Sequence, residues 1–247
     1  MLNQSNQKIT CQQIRIISNE RLAKDIYKMA LASSLQALPG QFINIKIKDV
    51  YLRRPISISK IEKDYFEIIY KIVGKGTRIL STYQKDDYLD ILLPLGNGFE
   101  LVKNKQVLVI GGGIGIPPLL ELIKQLSTNN KVTFLIGLND IEEHIYQEYQ
   151  PLVTTINKSV SFQGNVIDYL NNHHLEYDYA YACGPMPMLK ALQNYLKVEG
   201  QISIEERMGC GFGACVGCTC QTKQHQYKRI CVDGPVFRIG ELDLDEY

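Results

Sequence analysis

The stretch "ERMGCGFGACVGCTC", residues 206–220, places four cysteines within eleven positions of a chain that has only three others. Cys210, Cys215 and Cys218 are spaced C-x4-C-x2-C, and twelve residues separate Cys218 from Cys231. That is the plant-type spacing for a 2Fe–2S cluster, in which thiolates from a tight loop and one later cysteine wrap two irons. Gly209, Gly211, Gly213 and Gly217 suit a loop that must turn several sulfurs and N–H groups inward. Amide hydrogen bonds onto those sulfurs would tune the reduction potential. Cys220 falls outside the spacing, although an extended chain could bring it to the same face as Cys218. The competing chemistry is a structural zinc held by four thiolates. Such sites use two C-x2-C knuckles, and only Cys215 and Cys218 make one here. A full set of internal disulfides is excluded by the odd total of seven cysteines.

A second set of residues suits phosphate. "GGGIGIPP" stands between the apolar "QVLVI" and "LLELIKQLS", so that Gly111, Gly113 and Gly115 sit between a strand and a helix. Glycines there let the backbone approach a pyrophosphate, and the helix start supplies free N–H groups. Pro118 occupies the place of the third glycine of the usual dinucleotide fingerprint, and proline suits a first helical turn. "YACGPMPML" repeats the strand–loop–helix arrangement, so Gly184 and Pro185 are expected to face the same nucleotide, with Cys183 near its reactive ring. The plain alternatives are a tight turn without ligand and a small buried thiol ending a strand.

Two weaker signals lie earlier. In "RRPISI", residues 53–58, Arg54 precedes Ser57 by three positions, pairing a bidentate phosphate donor with a hydroxyl able to bond a ring nitrogen. "GKGT" opens a short helix and offers a second phosphate-type site at Gly76 and Thr77. The four histidines stand in polar contexts and read as surface residues, and the acidic end "GELDLDEY" reads as solvated.

These residues need elements to position them. "CQQIRIIS", "QFINIKIK", "YFEIIYKIV" and "DYLDILLPL" read as strands, with one helix at 77–83, which predicts an antiparallel barrel. From residue 105 strands and helices alternate: "QVLVI", a helix over "LLELIKQLS", "KVTFLIGL", a helix over 141–149, a strand near "VSF", a helix over "NVIDYLNN", "YDYAYAC", and a helix over "MPMLKALQNYLKV". That alternation predicts βαβ units and a parallel sheet. The fold class expected is α+β multidomain: a barrel at 1–102, an α/β nucleotide domain at 103–203 and a small cysteine module at 204–247.

Composition bounds the function. With 247 residues and 45% hydrophobic content there is material for real cores. A formal net charge of +1 argues against a broad surface for nucleic acid or anionic lipid. No apolar run approaches the ~18 residues of a membrane span. "MLNQSNQKIT" lacks the layout of a secretory signal, so the cytoplasm is the expected location.

Taken together, "RPIS", "GGGIGIPP" and "CGPMPML" resemble the ferredoxin–NADP reductase superfamily. The cysteine spacing, with "LRRPISI", "LPLGNGF", "EERMGCGFGAC" and "CVDGPVF", is similar to one group within it, the electron-transfer subunits of class 1B dihydroorotate dehydrogenase, over essentially the full length. The resemblance implies FAD on the barrel, NAD on the α/β domain and a 2Fe–2S cluster at the C-terminal cysteines. Arg54, Pro55, Ile56 and Ser57 match the flavin strand, Ile69, Tyr70 and Lys71 the next strand, and Gly76 and Thr77 the pyrophosphate loop. Ordinary reductases carry tyrosine where Ile56 stands, and the narrower group shares this change. Asp140 in "IGLND", with no arginine following, favours NAD over NADP.

The implied activity is a step of pyrimidine biosynthesis. Electrons leave dihydroorotate at the FMN of a separate catalytic subunit and pass through 2Fe–2S and FAD to NAD. The implied partnership is a heterotetramer of two chains with two catalytic subunits, without nucleic acid or membrane. Dihydroorotate oxidation would require the partner. Arg54 would hold the pyrophosphate, Ser57 would contact flavin N5, and Glu206 and Arg207 would lie between cluster and flavin. One rival is a diaphorase-type flavin/iron–sulfur subunit of a hydrogenase or a ferredoxin–NAD(P) oxidoreductase complex. A rival of another class is a non-enzymatic nucleotide-sensing protein with a structural zinc.

Overall fold

The computed structural model describes residues 7–139, 143–155 and 162–246. The chain forms two compact units. One comprises Met1–Phe99, Glu206–Cys220 and Lys228–Pro235; the other comprises Glu100–Glu205, Gln221–Tyr227 and Val236–Tyr247.

The first unit is a closed six-stranded antiparallel barrel. Its strands are β1 (Thr10–Ala23), β2 (Ile26–Leu31), β3 (Phe42–Lys46), β4 (Arg54–Ile61), β5 (Phe66–Lys71) and β6 (Tyr88–Leu95), in the order β1-β2-β5-β4-β3-β6. The period-2 pattern of the sequence decides which face is inside. Ile14, Ile16, Ile43, Ile45, Ile58, Phe66, Ile68, Leu89, Ile91 and Leu93 fill the interior, and Leu80 of helix α1 (Lys75–Leu80) joins them. Strands β2 and β4 add to the four read from the apolar pattern, β4 being the flavin strand that the resemblance implies. "IYKMAL" lacks clean alternation, and its three C-terminal residues are all buried. β4 carries a proline inside a central strand. Pro55 is tolerated because β4 pairs with β3 there, whereas its pairing with β5 begins only at Ile58.

The second unit is built on β7 (Gln106–Gly112), β8 (Lys131–Leu138), β9 (Leu152–Thr155), β10 (Phe162–Gln163), β11 (Tyr179–Cys183) and β12 (Gly200–Ser203). After β12 come the cysteine loop and a two-stranded hairpin of β13 (Thr219–Gln221) and β14 (Tyr227–Arg229). β15 (Val236–Arg238) then returns to pair antiparallel with β12. The sheet runs β10-β9-β8-β7-β11-β12-β15, parallel except for β15. Strands buried on both faces read as continuous apolar runs, as "VLVI" does. Helices α2 (Pro117–Leu126), α3 (Val166–Asn172) and α4 (Met186–Tyr195) stand where the apolar periodicity places them. The expected helix over 141–149 is a 3-10 helix at Glu143–Tyr149, with 141 and 142 outside the described residues. β9 was not expected, because "LVTT" is short. Of the "VSF" strand, Val160 and Ser161 lie outside the described residues. Among the described residues no helix is long and apolar enough to cross a membrane.

Successive strands leave β7 in both directions, toward β8 on one side and β11 on the other. The β7/β11 boundary is therefore the switch point at which open α/β sheets bind ligands. The loops of "GGGIGIPP" and "CGPMPML" both begin there.

Candidate functional site

The four cysteines of the spacing motif stand as two pairs. The backbone N–H of Cys215 donates to Cys210 Sγ at 3.3 Å, and the two side chains also hydrogen-bond. The Cys218 and Cys231 side chains form the second hydrogen-bonded pair, with Cys210 close enough to act electrostatically on Cys231. Cys218 and Cys231 are buried, and Cys210 and Cys215 are half-buried. Among the described residues no three Cys, His, Asp or Glu side chains converge on one point as a single-ion site requires. Four-thiolate zinc needs every sulfur at about 2.3 Å from one centre. Two pairs instead suit two irons that each take two thiolates, so the donor set fits a 2Fe–2S cluster.

The loop backbone completes this fit. Burial alone would raise the Cys210 thiol, but N–H groups of Cys215, Phe212 and Ala214 aimed at its sulfur bring it down to about 7. Burial, with the adjoining Cys218 sulfur, pushes Cys231 up to about 12. Gly211 and Gly213 adopt φ of +76° and +86°, a left-handed conformation that a side chain would strain. A Cβ on Gly209 would lie 3.2 Å from Cys215 Sγ, so the backbone there gives its space to sulfur. Cys220 is buried in β13.

Side chains from distant parts of the sequence pin this loop to the barrel. Asn44 Nδ2 donates to the Cys210 carbonyl at 3.0 Å. Asn97 donates through its backbone N–H to Gly234 O at 2.7 Å and through Nδ2 to Asp233 O at 3.1 Å. Gln41 Nε2 donates to Gly96 O at 2.8 Å. Arg229 Nη1 donates to Gly213 O at 2.8 Å, while the Arg229 N–H donates to Asp233 Oδ2 at 2.7 Å. The phrases "LPLGNGF" and "CVDGPVF" thus contact each other. Sequence reasoning missed Asn44, Gln41, Asn97 and Arg229; the one available signal was an amide inside the apolar strand "FINIK".

On the barrel, Arg54 and Gly76 meet. A Cβ on Gly76 would stand 2.5 Å from Arg54 Nε, so only glycine leaves the guanidinium its place over the start of α1. Arg54 Nη1 donates to Leu52 O at 2.6 Å, which fixes its direction. Arg53 serves the barrel instead, pairing with Asp90 at 2.6 Å and donating to Asp90 O and Asn44 O. The Thr77 hydroxyl accepts from the Val73 and Gly74 N–H groups, so it is committed to capping α1. Ser57 is the register partner of Phe42, and Ile56 of Ile43. On β5 the residues split by face: Tyr70 turns into the barrel, where its hydroxyl donates to Asn19 Oδ1 at 2.9 Å and its ring stacks on Tyr27. Ile69 and Lys71 take the opposite face.

In the α/β unit the two junctions touch. A Cβ on Gly115 would lie 2.5 Å from both Cα and N of Gly184, and one on Gly112 would meet Pro185 Cδ at 2.9 Å. Gly111 is the parallel-sheet partner of Cys183, so both loops leave the sheet at the same level. Gly113 has φ of +52° and nothing within 4 Å of its Cβ position, which leaves open space beside the start of α2, where Pro118 is buried. Open backbone at the start of a helix, where N–H groups are free, has the chemistry that suits a phosphate. Cys183 is fully buried, and burial pushes its thiol far above the ordinary range. Asp140 lies outside the described residues.

Comparison with known proteins gives a consistent answer. Residues 205–243 match the family model described as the iron-sulfur cluster binding domain of dihydroorotate dehydrogenase B. The chain is 40% identical to the dihydroorotate dehydrogenase B (NAD(+)) electron transfer subunit of Fusobacterium nucleatum subsp. nucleatum, over 92% of this chain and 96% of the relative. The protein of the same name from Bacillus cereus (strain B4264) is 38% identical, over 94% and 98%. Among solved structures, that of the NADH-dependent reduced ferredoxin-NADP oxidoreductase, determined for flavin-based electron bifurcation, superposes with a TM-score of 0.86 at 29% identity, over 95% of this chain and 91% of the other. A Neisseria gonorrhoeae ferredoxin NADP+ reductase with bound FAD and NADP has a TM-score of 0.63 at 17% identity, over 73% and 87%, which is a likeness of fold alone.

Proposed function

The chain belongs to the family of dihydroorotate dehydrogenase B (NAD(+)) electron transfer subunits, and on that premise we propose that it joins a dihydroorotate-oxidising partner to NAD, with FAD and a 2Fe–2S cluster resident on the chain. The observation that carries this reading is the pairing of Cys210 with Cys215 and of Cys218 with Cys231 on a loop hydrogen-bonded to the barrel. When bound, a flavin exchanges an electron pair with nicotinamide and an iron–sulfur cluster moves electrons singly, which joins two-electron to one-electron chemistry.

The chain's own residues bind and orient. Arg54, held over Gly76, supplies a guanidinium for the FAD pyrophosphate, and Ser57 offers a hydroxyl to the flavin ring. Pro55, Ile69, Lys71 and the backbone at Ile56, Tyr70 and Thr77 line that side, the Ile56 side chain packing against the barrel core. Gly111, Gly113, Gly115 and Pro118, with Cys183, Gly184 and Pro185, form the NAD end of the parallel sheet, and Asp140 selects NAD over NADP. Cys210, Cys215, Cys218 and Cys231 would hold the cluster, as the pairs Cys210/Cys215 and Cys218/Cys231. Functionally, 1–102, 103–203 and 204–247 serve as flavin, nucleotide and cluster regions. The partner is an FMN-containing catalytic subunit in a two-plus-two assembly, and the location is the cytoplasm. A diaphorase role like that of the ferredoxin-NADP oxidoreductase is the second reading, supported by the 0.86 superposition but at lower identity, 29% against 40%.

The test is a visible spectrum of anaerobically purified chain before and after NADH, with FAD, iron, sulfide and zinc counted, followed by reconstitution with the FMN partner. Flavin and cluster bands that both bleach, and dihydroorotate-dependent NADH formation only with the partner, are expected. A colourless protein holding zinc would overturn the reading, and so would dihydroorotate oxidation by the chain alone.

A further inference from the structure

A carboxamide interrupts β3, which reads "FINIK" between two barrel strands. Ile43 and Ile45 point into the barrel core, so Asn44 projects from the opposite face, yet it is fully buried. Burying an amide whose groups are incompletely bonded is unfavourable, and a β-branched apolar residue would suit the strand better. Packing alone does not account for Asn44.

Its contacts do. Asn44 Nδ2 donates to the carbonyl of Cys210, 166 residues away in sequence, at 3.0 Å. The next residue, Gly211, comes so close that a Cβ there would lie 2.5 Å from the same nitrogen. The Cys210–Gly211 peptide is therefore seated on this side chain. The main chain of Asn44 is held in turn: its carbonyl accepts from Arg53 Nη1 at 3.3 Å, and Arg53 is anchored by its 2.6 Å ion pair with Asp90. Across the sheet, the register partner of Asn44 is Pro55 of the flavin strand. Among the described residues Asn44 Oδ1 is buried with no hydrogen-bond partner, so the amide is aimed by its donor end.

We infer that Asn44 is a positioning residue that fixes the Cys210 edge of the cluster site against the flavin strand and thereby sets the environment of the Cys210 sulfur. The inference rests on the 2Fe–2S reading above. Cys210 Sγ takes hydrogen bonds from the backbone of Cys215, Phe212 and Ala214, and the aim of those N–H groups depends on where the Cys210 peptide is held. Such outer hydrogen bonds tune a cluster's potential. Removing the Asn44 donor loosens one end of the loop while Arg54, Gly76 and Ser57 remain in place.

The experiment compares holoprotein carrying Asn44→Leu or Asn44→Asp with the wild type, by electron paramagnetic resonance of the reduced cluster, by its midpoint potential, and by NADH–ferricyanide turnover, which reads the flavin without the cluster. Wild type is measured first. Asn44→Leu should keep FAD and ferricyanide turnover within about two-fold, alter the cluster's resonance, and shift electron sharing away from the cluster about tenfold, which is ~59 mV for a one-electron couple. Asn44→Asp, which removes the donor and adds negative charge, should shift it further in the same direction. If Asn44→Leu fails to load iron, Asn44→Ser, a polar change whose hydroxyl ends about one bond short of the Nδ2 position and so leaves the Cys210 carbonyl without its donor, decides: a loaded but shifted cluster supports the inference. A wild-type resonance and potential in a loaded variant overturns it, whichever variant shows it. Wild-type chain with zinc and no iron would overturn the cluster reading and this inference together.

Discussion

In the α/β unit the contacts that build the site are backbone against backbone: Gly115 on the Cys183–Gly184 peptide, Gly184 on the backbone of Gly112, Gly111 in register with Cys183. In the barrel unit they run from a side chain to a distant carbonyl: Asn44 to Cys210, Asn97 to Asp233, Arg229 to Gly213, Gln41 to Gly96. The difference follows from what each site must hold. A dinucleotide needs open N–H groups and close approach, which glycine supplies by lacking a side chain. A cluster needs several thiolates held at fixed separations by an irregular loop, and such a loop has few ladder hydrogen bonds of its own. It borrows them from a rigid barrel.

The largest expected effect breaks the barrel side outright. Cys218→Ser removes half of the buried Cys218–Cys231 pair. Iron should fall to near zero, and partner-linked turnover should drop more than about 100-fold, beyond the usual cost of an outer-shell change. NADH–ferricyanide activity should survive. Cys220→Ser, outside the C-x4-C-x2-C-x12-C spacing, should keep its iron; loss of iron there would mean that the ligand set is misassigned.

Next is the α/β side. In Gly115→Ala the new methyl meets backbone atoms 2.5 Å away, which cannot swing aside as a side chain could. Overpacking of this kind costs about 1–3 kcal/mol. NADH oxidation should fall roughly tenfold to a hundredfold, since 1.4 kcal/mol is tenfold in a rate. FAD and iron content should be unchanged, and equal loss of all three would dissolve the distinction between the two kinds of site. Gly76→Ala is milder, because its methyl meets the movable end of Arg54. FAD dissociation should rise by several-fold at constant iron content, measured by flavin fluorescence.

The same distinction explains what could be read beforehand. The glycine junctions, the cysteine spacing and the inward apolar faces are local patterns, so "GGGIGIPP", C-x4-C-x2-C and "VLVI" were legible without a structure. Asn44 and Asn97 were not, because each pairs with a carbonyl more than a hundred residues away, and any residue type presents a carbonyl. Arg53 and Arg54 are adjacent and chemically alike, yet one ties β3 to β6 and the other lies over Gly76. Only the registry of the folded barrel separates them. Thr77 shows the reverse error of emphasis: its hydroxyl looks available to phosphate but is occupied by the Val73 and Gly74 N–H groups.

The smallest expected effect concerns acid. The side-chain clamps of the barrel include charge, whereas the glycine contacts of the α/β unit do not, so only the first should respond to pH. Burial would raise the Asp90 carboxyl, but hydrogen bonds from Arg53 and Cys11, with the charges of Arg53 and Lys46, overcome it and hold the group below its ordinary value. A carboxylate depressed in the folded state stabilises above its unfolded pKa of about 3.9, and that contribution disappears as pH falls through the folded value. Asp90 and Arg53 are partly solvated, so the pair is worth at most about 1 kcal/mol. Arg53→Gln should therefore lower the melting temperature by a few degrees at pH 7, and the gap to wild type should close as the pH falls through the depressed folded-state value, until the carboxylate is protonated in both. Gly115→Ala should show the same gap at neutral and at low pH. An Arg53→Gln gap that persists at low pH would mean that the arginine acts through its bonds to the Asn44 and Asp90 carbonyls, and the barrel clamp would then be as indifferent to pH as the glycine junction.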